Sequence, residues 1–500
     1  MQLGSIASFA GKAQALHYDA ATGAVTLAQR RIQQLSGRAR AAHHPDRQRE
    51  PRAGPQDLGP RLHARGGGAP QALRPPALRG PVPPRHLVCR ERLRALVDPG
   101  NLFPHAARRA QTARRRDAPS SPSRASGAEE GQPLPPARLA ATLEGVARAG
   151  ASYMYTGPWG QRFVATVQRE GGKATMEDMR RYRPAWEEAR RTSFNGFEVV
   201  TNGSGSVGAL QLLTCLNLLD EMGLPGRGGY WKDASVFRDL TRVLAFTGSF
   251  PAYGEDPAQS EALKFVAALG IDASVEAREG KAFARAVAPH LDRYFAVPVE
   301  PGGHTDAIVA IDAHGNIAAL SHTINTTVWG TNGLVVAGVP LPDSACFQQV
   351  ELASVKPGHK TGHSLAGTIT FAGGKPVLVT AGLGSSLVHE SVKILTGILA
   401  NHGPPEEVIG APPLLGVYDA AEAPVPPGSG LLAAKVTEGR YSPEFLTQLH
   451  GMGLAVTQVP KAKEGRGTLA VAAIDPASGT RRAFEVPGST CWVVVFKTIK

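Results

Sequence analysis

Apolar and polar positions alternate most clearly between His304 and Gly330, where the runs AIVAI (307–311) and IAAL (317–320) flank His314-Gly315-Asn316. Two such runs joined at a Gly/Asn turn predict a β-hairpin. Another hairpin is predicted at the start of the chain, where ALHY and AVTLA flank the turn residues Asp19 to Gly23. From Leu139 the period becomes helical. Leu139, Leu143 and Val146 share a face, and Gly150 supplies a stop. A second helix, GQRFVATVQREGG, ends at Gly171-Gly172, and MEDMRRY follows Thr175 as N-cap with Asp178 at the third helical position. FEVVT (197–201) predicts a buried strand leading through the small-residue loop Asn202 to Gly208 into the apolar helix ALQLLTCLNLLDEMG. Residues 231–295 are mainly helical in pattern. Beyond the central hairpin, GLVVAGV (333–339) predicts a strand, and GTITF with VLVT predicts a hairpin across Ala372 to Lys375. The loop Ala381 to Ser386 opens the helix LVHESVKILTGILANHG. SPEFLTQLHGMG predicts another helix, and LAVAAIDPASGTRRAFEV a hairpin turning at Asp475 to Gly479. The closing STCWVVVFKTIK is apolar without a pattern.

Composition changes this picture in one place. The formal charge is +12, which invites a nucleic-acid or anionic-membrane partner. Residues 37–125 alone hold 19 Arg, no Lys and 6 acids, however, so the rest of the chain is close to neutral. This stretch, taken as 37–131, is rich in Arg, Pro, Ala, Gly and Ser and has neither Tyr nor Trp. It cannot offset chain entropy by packing and is expected to be disordered. A natural basic linker, an arginine-rich nucleic-acid-binding segment, and a stretch translated from the wrong frame of a GC-rich gene all compete as explanations. The last is preferred, because Arg, Pro, Ala and Gly codons dominate such a frame, and the absence of Tyr, Trp and Lys argues against the nucleic-acid-binding segment. The chain therefore divides into first sheet strands (1–36), this aberrant segment (37–131), a helix-and-strand region (132–304) and a strand-rich region from Thr305 to Lys500. No apolar run approaches the length of a membrane span. The N-terminus lacks the basic and apolar regions of a secretory signal. That gives a cytoplasmic protein as written, or a periplasmic or extracellular one if the true start lies upstream. Cys89, Cys215, Cys346 and Cys491 have no CxxC spacing, so neither a zinc site nor a disulfide framework is expected, and Cys215 reads as a buried thiol.

The candidate chemistry lies at the head of the central hairpin. Thr305 begins the first strand after the loose segment EPGGH, where an N-terminal nucleophile would be placed. Its hydroxyl would attack its own upstream carbonyl, and the freed α-amine would then act as base. An ordinary edge hairpin fits the same spacing. Gly384, Ser385 and Ser386 precede a helix, so their backbone N–H groups could receive an oxyanion. His389 and Glu390 lack an HExxH context and read as surface residues. His314 reads as a solvent-facing turn residue, and Trp329 as packing. No cofactor and no metal site is expected.

From Leu139 to Pro413, with a fragment before Gln33, the chain resembles the γ-glutamyltranspeptidases, a family of N-terminal-nucleophile hydrolases. The segment LEGVARAGASYMYTGPWGQRFVATVQREGGKATMEDMRRY is similar to the family's YxGP…GG…T…D…Y pattern. GFEVVTNGSGSVGALQLLTCLNLL occupies the place of its strand, loop and helix, and HTDAIVAIDAHGNIAALSHTINTTVWG resembles its nucleophile strand, turn and TxNTTFG return. The resemblance implies an α+β fold of the four-layer αββα type with an incomplete N-terminal part. It implies cleavage at His304-Thr305 into large and small subunits, and a threonyl ester formed from γ-glutamyl amides such as glutathione. The acyl group would pass to water, an amino acid or a peptide. Thr305 falls on the catalytic threonine and Thr323 on its supporting threonine. Asn325 falls on the asparagine that holds the donor's α-carboxylate and amine, and Gly384 on the first oxyanion glycine.

Several positions depart from the family. Ser385 stands for the second oxyanion glycine, His363-Ser364 for the paired serines of the carboxylate pocket, and Asp306 for a second threonine. The α-amine ligands fall near Ser344 and Phe347, with Asp343 close by as a substitute. The carboxylate-binding Arg-Glu-x-x-Pro motif is absent from residues 37–131. An inactive or frame-altered member, or an amidase with another acyl donor, is the alternative expectation.

Overall fold

The computed structural model describes residues 12–30, 136–203, 205–251, 257–295, 305–323, 334–341, 352, 361–383, 387–414, 432–460 and 468–484. In chain order they form β1 (Lys12–Tyr18), β2 (Val25–Arg30), α1 (Pro136–Ala149), α2 (Ala151–Tyr155), α3 (Pro158–Arg169), α4 (Met176–Arg181), β3 (Ala185–Glu187), β4 (Arg190–Phe194) and β5 (Phe197–Thr201). Next come α5 (Val207–Glu221), α6 (Ala234–Gly248), α7 (Glu261–Ala268), α8 (Val275–Arg278), α9 (Lys281–Val287), β6 (Thr305–Ile311), β7 (Ile317–Thr323), β8 (Val335–Val336) and β9 (Val339–Pro340). The remaining elements are β10 (Thr368–Ala372), β11 (Lys375–Leu383), α10 (Leu387–Leu395), α11 (Pro405–Gly410), β12 (Leu432–Thr437), α12 (Pro443–Gly451), β13 (Leu454–Val459), β14 (Thr468–Ile474) and β15 (Arg481–Phe484).

Two antiparallel sheets carry the fold. The first has the order β3-β2-β1-β7-β6, the second β15-β14-β11-β10-β5-β4. Successive strand residues point to opposite faces, and the second sheet uses both. Val199, Leu378 and Val471 join the large core beneath α5, α6, α9 and α10. Their neighbours Val200, Val379 and Ala472 pack against Leu16, Leu27 and Ala319 of the first sheet. Tyr18 and Phe371 meet edge-on across that layer, with ring centroids 5.3 Å apart.

A separate core gathers α1 to α4 around Trp159, which is fully buried and donates from Nε1 to the Val336 carbonyl at 3.0 Å. The expected strand over 333–339 is instead the β8–β9 hairpin, because Ala337 and Gly338 take positive φ and turn the chain back. This hairpin docks on α1, where Thr142 Oγ1 donates to the Ala337 carbonyl at 2.7 Å. The Thr175 cap forms as expected: its hydroxyl accepts from Asp178 N, and the Asp178 carboxylate accepts from Thr175 N. Residues 37–131, expected to be disordered from their composition, lie outside the described residues.

The first sheet carries an apolar row on one face. Trp186, Ala28, Ala15, Leu320 and Ile308 are register partners in a single row across all five strands. The two ends of that row are 49% (Trp186) and 43% (Ile308) exposed.

Candidate functional site

The hairpin that heads the site is fixed by its turn. Asp312 N donates to the Asn316 carbonyl, and the Asp312 carboxylate accepts from His314 N and Asn316 N. Gly315, at φ 89°, takes the left-handed conformation that the reversal requires. His314 is exposed there, as the sequence suggested. This turn sets the register of β6 against β7 and pairs Thr305 with Thr323 at the far end. Thr305 is half-buried and Thr323 is buried.

Three further segments reach the same end of the sandwich. Ser321 Oγ donates to the Gly382 carbonyl at 3.2 Å, which ties β7 to the last turn of β11 just before Gly384. Thr368 at the start of β10 pairs with both Thr380 of β11 and Thr201 of β5. The loop after β5 is then stitched to residues 361–367: His363 N donates to the Gly205 carbonyl, and Val207 N donates to the His363 carbonyl. Asn202 and Ser206 both donate from their side chains to the Leu365 carbonyl. Backbone pairing thus joins Thr305 to Thr323, while backbone and side-chain bonds together hold His363 and Ser364 against the loop after β5. His363 is fully buried, and its Nδ1 accepts from Leu365 N at 3.3 Å. Asn325, Asp343, Ser344, Gly384 and Ser385 lie outside the described residues, as do His304 and Trp329.

A pair that the motif reading did not single out sits beside the threonines. Asp306 and His322 are the next register partners, and His322 Nε2 lies 3.0 Å from Asp306 Oδ2. Desolvation by the surrounding chain pushes the Asp306 carboxyl upward, but the His322 imidazole and the Ala307 N–H outweigh it and hold the group below its ordinary value. The register that pairs Thr305 with Thr323 also pairs these two, so the hairpin pattern contained the signal.

One surface assignment is corrected. His389 and Glu390 are buried, Glu390 to 4% exposure, because α10 is covered by the segment that follows it. Lys393 Nζ lies 3.3 Å from Glu390 Oε2 and donates to the Ile409 and Ala411 carbonyls. Burial raises the Glu390 carboxyl above its ordinary value, and Lys393 opposes the shift. Cys215 is fully buried, as expected. Among the described residues no cluster of three His, Cys, Asp or Glu could hold a metal ion, and no helix is long and apolar enough to cross a membrane.

Two face-to-face antiparallel sheets, with helices packed on the outer face of the second, form a layered α+β sandwich. Within that class, residues 123–481 match the family model for gamma-glutamyltranspeptidase, and the chain belongs to that family. It is 24% identical over 351 residues to the glutathione hydrolase proenzyme of Escherichia coli, covering 66% of this chain and 57% of that protein. It is 26% identical over 294 residues to the glutathione hydrolase proenzyme of Pseudomonas aeruginosa, covering 55% and 51%. The chain thus spans about half the length of the curated relatives it matches. In fold it is similar to cephalosporin acylase from Bacillus halodurans, with a TM-score of 0.63 at 16% identity, covering 97% of this chain and 88% of that one.

Proposed function

We propose that the chain is a γ-glutamyltransferase or glutathione-hydrolase-like enzyme that processes itself at His304-Thr305. The observation that carries this reading is the register pairing of Thr305 with Thr323 at the end of the sandwich where β11 exits toward Gly384. In processing, Thr305 Oγ1 attacks the His304 carbonyl carbon, the peptide C–N bond breaks, and the acyl group moves from nitrogen to oxygen. Water then hydrolyses that ester and leaves Thr305 with a free α-amine. In turnover this amine takes the hydroxyl proton as Oγ1 attacks the γ-glutamyl amide carbonyl. The departing amine leaves with a proton, and water or an acceptor amine releases the acyl group from the threonyl ester.

Thr323 supports the nucleophile in this reading. Gly384 and Ser385 supply backbone N–H groups to the oxyanion. Asn325, Asp343, Ser344, His363 and Ser364 line the pocket for the donor's charged end. Partners are a small γ-glutamyl donor and an amino-acid, peptide or water acceptor, with large and small subunits derived from one chain.

One observation favours a different acyl donor on the same machinery. The imidazole of His363 is buried and turned onto the Leu365 amide, so a hydroxyl for a donor carboxylate is missing at that position. An amide whose acyl group lacks that carboxylate would fit better. Brief incubation with a γ-glutamyl anilide, followed by intact-mass measurement, tests the choice. A γ-glutamyl adduct on the 305–500 fragment supports the first reading, and an adduct formed only from simple acyl anilides supports the second.

A further inference from the structure

We infer that Asp306 and His322 form a cross-strand clamp that holds the start of β6, far from the turn, in register and so positions Thr305; the inference rests on the reading of Thr305 as the processing nucleophile. Strand β6 is the last described strand on its side of the first sheet, and Thr305 is its first residue. The end of a marginal strand is held by one neighbour only, and a slip of one residue turns every side chain to the opposite face. Such a slip would carry Thr305 away from Thr323 and place Asp306 on the sheet-to-sheet side.

The sequence of the two strands contains a device against this. Across TDAIVAI and IAALSHT, Asp306 and His322 are the only ionisable side chains, and they stand directly opposite one another. Asp306 uses both oxygens: Oδ2 lies 3.0 Å from His322 Nε2, and Oδ1 accepts from Ala307 N at 2.9 Å. His322 is buried, whereas Asp306 is exposed. Every other register leaves a buried imidazole opposite an apolar or hydroxyl side chain. The row beside the pair, Ile308 with Leu320, is apolar and accepts either alignment of its own accord. The pair therefore supplies a register preference that the apolar residues of this hairpin end lack.

The test follows processing of the full chain after cell-free synthesis, by the appearance of the 305–500 fragment. Asp306→Ala and His322→Ala are each expected to slow processing by about tenfold, since the 3.0 Å contact between carboxylate and imidazole then no longer steadies the reactive geometry. The double variant should be no slower than either single one. Asp306→Asn, which keeps a polar oxygen of the same reach beside the imidazole, should stay within about threefold of the parent. In parallel, hydrogen exchange over 305–311 is measured in the uncut Thr305→Ala background, where Asp306→Ala should accelerate exchange. Single variants that process at the parent rate, losses that add in the double variant, or unchanged exchange would each overturn the clamp. A parent chain that is never cut, alongside exchange that does respond to Asp306→Ala, would instead remove the nucleophile reading and leave the clamp standing.

Discussion

Thr305 and Thr323 are register partners at the open end of the β6–β7 hairpin, two residues beyond the Ser321 hydroxyl that holds the exit of β11. Through this relationship a motif match becomes a geometry. The first threonine heads a strand, the second stands opposite it on the neighbouring strand, and the Gly/Ser loop follows the strand to which that neighbour is bonded. Replacing Thr323 by Val keeps the shape and removes the hydroxyl. Processing and amide cleavage are expected to fall by about tenfold while the thermal midpoint changes little; parent-like processing rates in Thr323→Val would exclude the supporting role.

Gly208 opens α5 where the 361–367 segment crosses it. A Cβ there would meet the Ser364 carbonyl oxygen at 2.0 Å and its carbon at 2.6 Å, both backbone atoms that cannot step aside alone. Gly208→Ala is expected to destabilise the fold by about 2 kcal/mol through overpacking, measured by denaturant unfolding. A change within experimental error would mean that the segment adjusts freely.

The Glu390–Lys393 pair offers a pH-dependent prediction. Removing Lys393 takes the ammonium away from the buried Glu390 carboxyl and from two carbonyls, so Lys393→Ala should cost about 3 kcal/mol. Burial raises the Glu390 carboxyl above its ordinary value of 4.5. The folded state therefore binds more protons than the unfolded state between 4.5 and that higher value, and stability should fall as pH rises through the window. Glu390→Gln should flatten this slope, and a slope unchanged in that variant would contradict the assignment.

Ile308 and Trp186 end an apolar row on one face of the first sheet, and both are exposed. Exposed apolar surface of this kind binds hydrophobic dyes and promotes association. Ile308→Thr with Trp186→Thr should lower dye fluorescence and shift sedimentation toward the monomer, whereas identical profiles for parent and variant would show that the face is covered in solution.

The arginine-rich, lysine-free composition of residues 37–125 motivates the proposal that this stretch is read out of frame. Resequencing the coding DNA is the direct check, and a single clean frame through the region in several isolates would reject the proposal.

Much of the fold is legible in the sequence because alternation and turn residues act locally. The β6–β7 register, the Thr175 capping box and the Asp475 turn each follow from residues within about a dozen positions of one another. Glu390 is illegible for the opposite reason. A charged residue in the first turn of a helix ordinarily faces water, and the carbonyls that help bury its Lys393 partner come from Ile409 and Ala411, beyond the helix itself. The GLVVAGV run misleads because two positive-φ residues fold it into a hairpin, and Ala337 gives little sequence warning of such a turn. At the site, Thr305 and Thr323 can be found by motif. Asp306 and His322 require the register as well, since neither belongs to the family pattern.

Whether Thr305 is a processing nucleophile can be read from the mass of the purified protein. Two fragments, residues 1–304 and 305–500, are expected in the parent chain, and a single uncut chain without amidase activity in Thr305→Ala. A parent chain that stays whole under native conditions, or a Thr305→Ala variant that is still cut between His304 and residue 305, would contradict the assignment of Thr305 as nucleophile.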